Sequence, residues 1–471
     1  MEKSDIPFLT ATQLSRLIGS REVSPVEATE AYLERIARED GRLNAYITVC
    51  GDEALVAARE AEEAIAAGRY LGPMHGIPVA IKDQIHTKGI LTTAGSGLLA
   101  DYVPTEDATV MANLKRAGAV LLGKLHLYEF AMAGLPQRFK TPRNPWNLDM
   151  STGGSSSGSG AATAASLCAT SLGEDTGGSI RFPATWCGLS GLRPSWGRVS
   201  RHGVIGASWS MDTVGPLSRT VEDCAMTLQA IAGYDHRDPY TWNIPVPNYV
   251  AALDGHLKGV RVGVLKEQME HPQLHPEYEE SVVKAIRVLG ELGASVEEVS
   301  IPITLTSGVI TSCLVDVEWA SVHQETFTRN LEELDPNNRV RFFSGSLMPA
   351  QAYYKSQRLR ALLRRQVLEA LDKVNVLVLP TGMIPAPPLK EDVPAIQGKE
   401  TVAERLAGRI TFTCPFNLAG VPALSLPCGY TSTGLPLGLQ IVGPPFAEEA
   451  VFKVAHAYQQ STPWHEMKPA L

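Results

Sequence analysis

No CxxC pair occurs anywhere in the 471 residues. The seven cysteines, Cys50, Cys168, Cys187, Cys224, Cys313, Cys414 and Cys428, are scattered along the chain. An odd, dispersed set argues against a disulfide framework and reads as buried thiols kept reduced. No apolar run approaches the length of a membrane span. The opening MEKSDIPFLT lacks the charged-then-apolar pattern of a secretory leader. An excess of basic charge is also missing: 42 Lys and Arg against 50 Asp and Glu leave a net charge of -8. That balance argues against a nucleic-acid or anionic-membrane surface. Internal repeats and clean linkers are lacking too, which points to one domain over residues 1–471. The resulting expectation is a cytoplasmic protein with no membrane and no nucleic-acid partner.

What is present is an α/β pattern. In SPVEATEAYLERIARED, Ser24 is set to cap a helix, Pro25 to open its first turn and Glu27 to close a capping box. Val26, Ala28, Tyr32, Leu33 and Ile36 line one face. DEALVAAREAEEAIAAG predicts another helix ending at Gly68, making residues 1–70 a helical N-terminal part. Short apolar runs then alternate with amphipathic stretches. Residues 77–82 and 119–122, GVRVGVLKE, ASVEEVSIP, VNVLVLPT and GLPLGLQIVG predict strands. Asp107 to Ala117, residues 276–292 and AEEAVFKVAHAYQQ predict helices. The expected class is α/β, a large mixed, mostly parallel twisted sheet covered by helices on both faces. Residues 233–257 and the proline-rich 381–396 predict irregular chain.

Three motif-like stretches fail on their own chemistry. GAVLLGKL at 118–125 nearly matches a phosphate loop but ends in Leu125 where a hydroxyl is required. His271 and His275 have a metal-like spacing, yet Pro272 and Pro276 oppose the helix that would align them. GSSSG at 154–158 fits a nucleophile elbow on Ser156, but the loop-like NPWNLDMSTG stands where a strand must precede it.

STGGSSSGSG, residues 151–160, holds five serines and four glycines and runs straight into AATAASLCATSL, a stretch of small residues that predicts a buried helix. The loop then lies at a helix N-terminus, where unpaired N–H groups and the dipole meet. Taken alone it is either a tight turn with Ser155 or Ser156 capping the helix, or half of a catalytic device. GEDTGGSIR at 173–181 offers the other half. Gly177 and Gly178 before Ser179 can present successive N–H groups to an oxyanion, or simply turn the chain. No histidine sits in a motif that nominates it as a base. Lys82 ends an apolar strand and can replace one if buried. A neutral amine at pH 7 needs a drop of about three pH units from the lysine reference, which burial can supply. Exposed, the same lysine is an ordinary surface charge.

Together, GIPVAIKD, GGSSSGSGAA and GEDTGGSIRFPA, continuing through GLSGLRPSWGRVSRHG and SMDTVGPLSRTVEDCA, resemble the amidase signature family. TTAGS, NPWN, NLAGVPALSLPCG and GLPLGLQIVG extend the likeness over roughly residues 20–235 and 374–460, leaving 240–370 as a variable, substrate-determining part. The resemblance implies a Ser–cisSer–Lys triad with Ser179 as nucleophile, Ser155 as bridging serine and Lys82 as base. It implies the N–H groups of Thr176, Gly177, Gly178 and Ser179 as oxyanion hole, and no metal or cofactor. The chain departs from the family pattern at Glu174, where many members have threonine, and in SSSGS and GKLHLYEFA. Glu174 and Ser156 are expected to be structural hydrogen-bonders.

The implied activity is hydrolysis of an amide, or a carbamate, through an acyl-serine. The implied partner is a small-molecule substrate, with a homodimer as the assembly allowed. The alternative is the A subunit of a glutamyl-tRNA amidotransferase, whose members carry an arginine-bearing, glutamine-recognising segment before a long helix. VRFFSGSLMPAQAYYKSQRLR matches that segment poorly. A non-catalytic scaffold and a Ser156 esterase are the remaining readings. Pocket walls are expected from residues 300–350, from 381–396 and from Phe130, Ala131 and Met132. Trp319, Phe327, Phe342, Phe343, Met383 and Ile384 either receive an apolar acyl group or pack the core.

Overall fold

The capping box forms as the sequence dictates. Ser24 Oγ accepts the Glu27 N–H at 3.0 Å, the Glu27 carboxylate accepts the Ser24 N–H at 2.9 Å, and Pro25 opens the helix Pro25–Leu43. The helix Gly51–Ala66 follows. The computed structural model describes residues 2–132, 138–389 and 408–471. The part of the proline-rich stretch beyond 389 therefore lies outside the described residues.

Eleven strands in one sheet organise the described chain. In chain order they are β1 (Tyr46–Val49), β2 (Pro78–Lys82), β3 (Val120–Leu125), β4 (Thr170–Glu174), β5 (Ser190–Arg193) and β6 (Val214–Ser218), then β7 (Arg261–Leu265), β8 (Ser295–Val299), β9 (Val376–Pro380), β10 (Ala423–Tyr430) and β11 (Pro436–Val442). Their spatial order is β1-β3-β2-β4-β6-β5-β10-β11-β9-β7-β8. The mixed α/β class holds, with a balance less parallel than expected. Pairs β2–β3, β2–β4, β7–β8 and β7–β9 are parallel, and the other six pairs among the described residues are antiparallel. The centre of the sheet is antiparallel because β10 and β11 form a hairpin through a tight turn in which Gly434 takes φ +82°.

The expected strands and helices of the α/β alternation form, but β4, β5, β6 and β10 are additional. β4 replaces the second half of the predicted small-residue helix, which ends at Ala164. Its sequence, TSLGE, carries little apolar signal. It is nonetheless fully buried because its hydroxyls find partners: Thr170 Oγ1 meets Ser218 Oγ at 2.7 Å, and Ser171 Oγ meets Thr163 Oγ1 at 2.8 Å. Every residue of the helix Ser157–Ala164 is buried. At Gly158 a β-carbon would lie 2.3 Å from the Ala45 carbonyl oxygen and 2.5 Å from the His126 nitrogen, so only glycine admits this approach.

The near-match to a phosphate loop is strand β3. Its Lys124 is buried, donating to the Ile85 carbonyl at 2.8 Å and lying 3.3 Å from Asp83. Trp319, Phe327 and Phe342 pack the core with Phe130, whereas Phe343 is 48% exposed. All seven cysteines are free and all but Cys313 are buried. Among the described residues no helix is long and apolar enough to cross a membrane.

Candidate active site

Lys82 is the last residue of β2, a strand buried along its whole length, and its side chain has no exposed surface. The neighbouring parallel strand β4 ends at Glu174, so both strands deliver their C-terminal ends to one place. The glycine–serine loop reaches the same point from the other side. Lys82 Nζ lies 2.8 Å from Ser155 Oγ, 3.4 Å from the Glu174 carbonyl oxygen and 3.3 Å from Glu174 Oε2. The Gly154–Ser155 peptide is cis. A β-carbon at Gly154 would sit 2.4 Å from the Tyr128 ring, so glycine lets that ring close over the loop.

Ser156 stitches the two serine loops together. Its N–H donates to the Ser179 carbonyl at 3.2 Å, and its hydroxyl donates to the Glu174 carbonyl at 3.2 Å. Ser156 does not cap the helix that follows and is fully buried, an unsuitable place for an attacking hydroxyl. Ser179 is half-buried, and its hydroxyl has no partner among the described residues. The structure thus joins Lys82 to Ser155 directly and joins the Ser155 loop to Ser179 through backbone, with no hydrogen bond between the two hydroxyls. No histidine bonds to either serine.

The turn before Ser179 is held by a buried carboxylate. Asp175 accepts the Gly178 N–H at 2.7 Å and the Ile180 N–H at 3.2 Å. Arg181 makes a two-pronged pair with it, and Asn417 donates to it at 2.7 Å. Burial opposes ionisation of Asp175, but the Arg181 and Arg193 guanidiniums outweigh it and hold the carboxyl well below its usual range. Arg181 continues to the Thr413 carbonyl at 3.0 Å and Gln440 Oε1 at 2.6 Å, tying the turn to β11. The Gly178 N–H, one of the four expected oxyanion donors, is therefore directed at Asp175. The N–H groups of Thr176, Gly177 and Ser179 have no partner among the described residues. The Gly177 carbonyl is pinned by the Thr413 hydroxyl at 2.6 Å.

Asp175→Ala should strand two buried guanidiniums and release the turn. Losing one partner of a buried pair costs about 3–5 kcal/mol. A thermal melt should show that loss together with a fall in turnover, whereas a melt unchanged from the parent would contradict the role given to this carboxylate.

Phe130 and Ala131 take consecutive left-handed conformations, φ 47° and 60°. For non-glycine residues this geometry costs roughly 1–2 kcal/mol each. The Phe130 ring packs 5.0 Å from His323 and 4.9 Å from Phe327. Ala131 and Met132 are also buried. Asp175, the organiser of the turn, escaped sequence reasoning; its offset of six from Arg181 was the available signal. Asn417 and Gln440 carried none.

Burial lowers the Lys82 pKa against the opposing pull of Glu174. A buried amine that can shed its proton, a hydroxyl beside it, an accessible second hydroxyl and unpaired N–H groups form a set able to move a proton and stabilise an oxyanion.

The Amidase family model matches residues 27–452. The chain is 40% identical to the A subunit of the Glutamyl-tRNA(Gln) amidotransferase from Moorella thermoacetica, with 99% of each chain covered. Among solved structures it resembles a protein from a vestigial complex described as revealing the origins of an s-triazine catabolic enzyme, at TM-score 0.89 and 30% identity over 96% of this chain and 98% of that one. It also resembles the peptide amidase of Stenotrophomonas maltophilia, at TM-score 0.83 and 31% identity over 96% of each chain. These likenesses correct the partner expectation. Relatives matched end to end are named as one component of an enzyme for a charged tRNA, so a small molecule alone, without nucleic acid, does not describe the setting. The mild net negative charge misled because it averages over the whole chain and carries no information about what one member of an assembly meets. With a family match across nine-tenths of its length and solved neighbours of the same fold, the chain belongs to the amidase signature family.

Proposed function

We propose that the chain hydrolyses the side-chain amide of glutamine through an acyl-enzyme on Ser179, as the amide-supplying component of a tRNA-dependent assembly. The chemistry rests on one observation, the 2.8 Å contact between the buried Lys82 amine and the Ser155 hydroxyl. The choice of substrate rests on the 40% identity, over almost the whole length, to proteins named for glutamyl-tRNA(Gln).

Neutral Lys82 takes the Ser155 proton while Ser155 takes that of Ser179, and Ser179 Oγ attacks the amide carbonyl carbon. The N–H groups of Thr176, Gly177 and Ser179 receive the oxyanion. The Gly178 N–H, engaged by Asp175, keeps the turn that presents them. As the C–N bond breaks, the proton returns through Ser155 to the leaving nitrogen and ammonia departs. Water repeats the relay, freeing glutamate and restoring Ser179.

A second reading, an amidase working alone on another amide, is favoured by Arg341. It is the arginine that precedes the long helix Ala350–Leu371, and it is paired with Asp316 at 2.8 Å. An arginine so occupied is not free to receive a glutamine carboxylate. The deciding experiment measures ammonia release from glutamine by the chain alone and with co-expressed partner proteins, beside a panel of aryl amides, aliphatic amides and carbamates. Glutamine-dependent release that rises on assembly supports the first reading. Turnover of another amide by the isolated chain, with glutamine inert in both preparations, overturns it in favour of the second.

A further inference from the structure

Granting that reading of Lys82, Ser155 and Ser179, the carboxyl of Glu174 is an awkward neighbour. It lies 3.3 Å from the amine that has to act as a base, and both side chains are fully buried. A carboxylate at that distance stabilises the ammonium form and would leave Lys82 without its lone pair near neutral pH.

The proton positions around Thr176 resolve the conflict. Thr176 Oγ1 lies 2.7 Å from Glu174 Oε1 and 2.7 Å from Asp212 Oδ1. A hydroxyl has one hydrogen to donate. If it donates to one carboxyl, the other must donate to it, because two lone pairs facing each other at that distance in a buried site are repulsive. One of the two carboxyls therefore carries a proton. Asp212 accepts the Ala207 N–H at 2.7 Å and the Ser208 N–H at 2.9 Å on each oxygen, a donor set that favours its anion. The Glu174 carboxyl accepts no backbone N–H among the described residues.

We propose that Glu174 is a neutral carboxylic acid that donates through Oε1 to Thr176, which donates to Asp212, and that Glu174 thereby positions Lys82 as a neutral amine. The amine's needs are then all met. Its two hydrogens have two acceptors, Glu174 Oε2 at 3.3 Å and the Glu174 carbonyl at 3.4 Å, and its lone pair is left facing Ser155 Oγ at 2.8 Å. The charged and titratable groups around Glu174 are Lys82 on β2, Asp212 ahead of β6, Asp175 beyond the end of β4 and Arg193 on β5. Asp175 is neutralised by Arg181 and Arg193, which leaves Asp212 as the dominant anion. Burial and the Asp212 charge push the Glu174 carboxyl up to about 7, and burial pushes the Lys82 amine down, so each group favours its neutral form.

Glutamine is the isostere of the protonated acid: its carbonyl can accept from Lys82 and its NH₂ can donate to Thr176. Glu174→Ala should lower kcat by on the order of 10²-fold with KM little changed, because the base loses its orientation. Glu174→Gln should restore most of that loss and leave the acid limb of the kcat/KM–pH profile where the parent has it. An acid limb displaced downwards by about one pH unit or more in Glu174→Gln would mean an ionised Glu174 in the parent, and would overturn the proposal. Infrared spectra of the resting protein at mildly acidic pH supply a readout independent of turnover, and of whether Glu174→Ala folds. A protonated-carboxyl band that is missing from Glu174→Gln is expected, and its absence from the parent would overturn the proposal as well. Full activity in Ser179→Ala would instead sink the underlying reading of the site while leaving that band untouched, so the two failures are distinguishable.

Discussion

Ser179→Ala is expected to lower kcat by about 10⁴- to 10⁶-fold, the scale on which loss of a nucleophile acts when its partners work as a unit. KM should change little, since a methyl in place of the hydroxyl leaves the free N–H groups of Thr176, Gly177 and Ser179 where they are. Ammonia release at saturating amide reads the effect, and a fluorophosphonate probe that labels the parent should fail to label the variant. Ser156→Ala is the counter-test. Its hydroxyl bonds only to the Glu174 backbone, so its removal should loosen the fold rather than abolish chemistry. Loss of turnover confined to Ser156→Ala, with Ser179→Ala active, would return the nucleophile to the elbow reading.

Lys82→Ala should be nearly as damaging, and its pH behaviour carries the mechanism. Burial lowers the Lys82 pKa, and the deprotonated amine is the active form. Activity of the parent should therefore be low where Lys82 is an ammonium and rise with pH through its depressed pKa. Lys82→Arg keeps the length and the donors but cannot shed a proton, so it should stay inactive across the whole range. Two results would sink the lysine base: a flat parent profile from about pH 5 to 9, and near-parental turnover in Lys82→Arg.

Much of this site could be read from single residues in their local company. Lys82 at the end of VAIK, Ser155 in a glycine-rich loop and Ser179 after two glycines each announce themselves within a few positions. The structure brings their segments to one point. The strand–helix alternation was readable for the same reason: β2, β7 and β9 are continuous apolar runs, and the Ser24–Glu27 capping box is a four-residue pattern. What stayed hidden depends on long-range pairing. β4 and β6 hold each other through hydroxyls such as Thr170 and Ser218, 48 residues apart, so neither shows the apolar signature of a buried strand. Asp175 meets Asn417 across 242 residues, and Arg181 meets Gln440 across 259. No window of sequence contains such a contact. Glu174 was legible only as an exception to a pattern, because its meaning lies in a shared proton rather than in a spacing.

The helix Ser157–Ala164 has a consequence for how this chain and its kin should be recognised. Gly158 admits no β-carbon, Gly154 lies under a tyrosine ring, and a β-carbon at Gly160 would come within 3.0 Å of Pro183 and 3.1 Å of the Cys187 sulfur. Random substitution at these positions, followed by selection for folding alone, would return the same glycines whether or not the survivors turned anything over. A gene that had lost its chemistry would go on displaying the stretch most used to identify it. The glycine–serine run certifies the architecture, and evidence of a working enzyme has to be sought at Lys82 and Ser179.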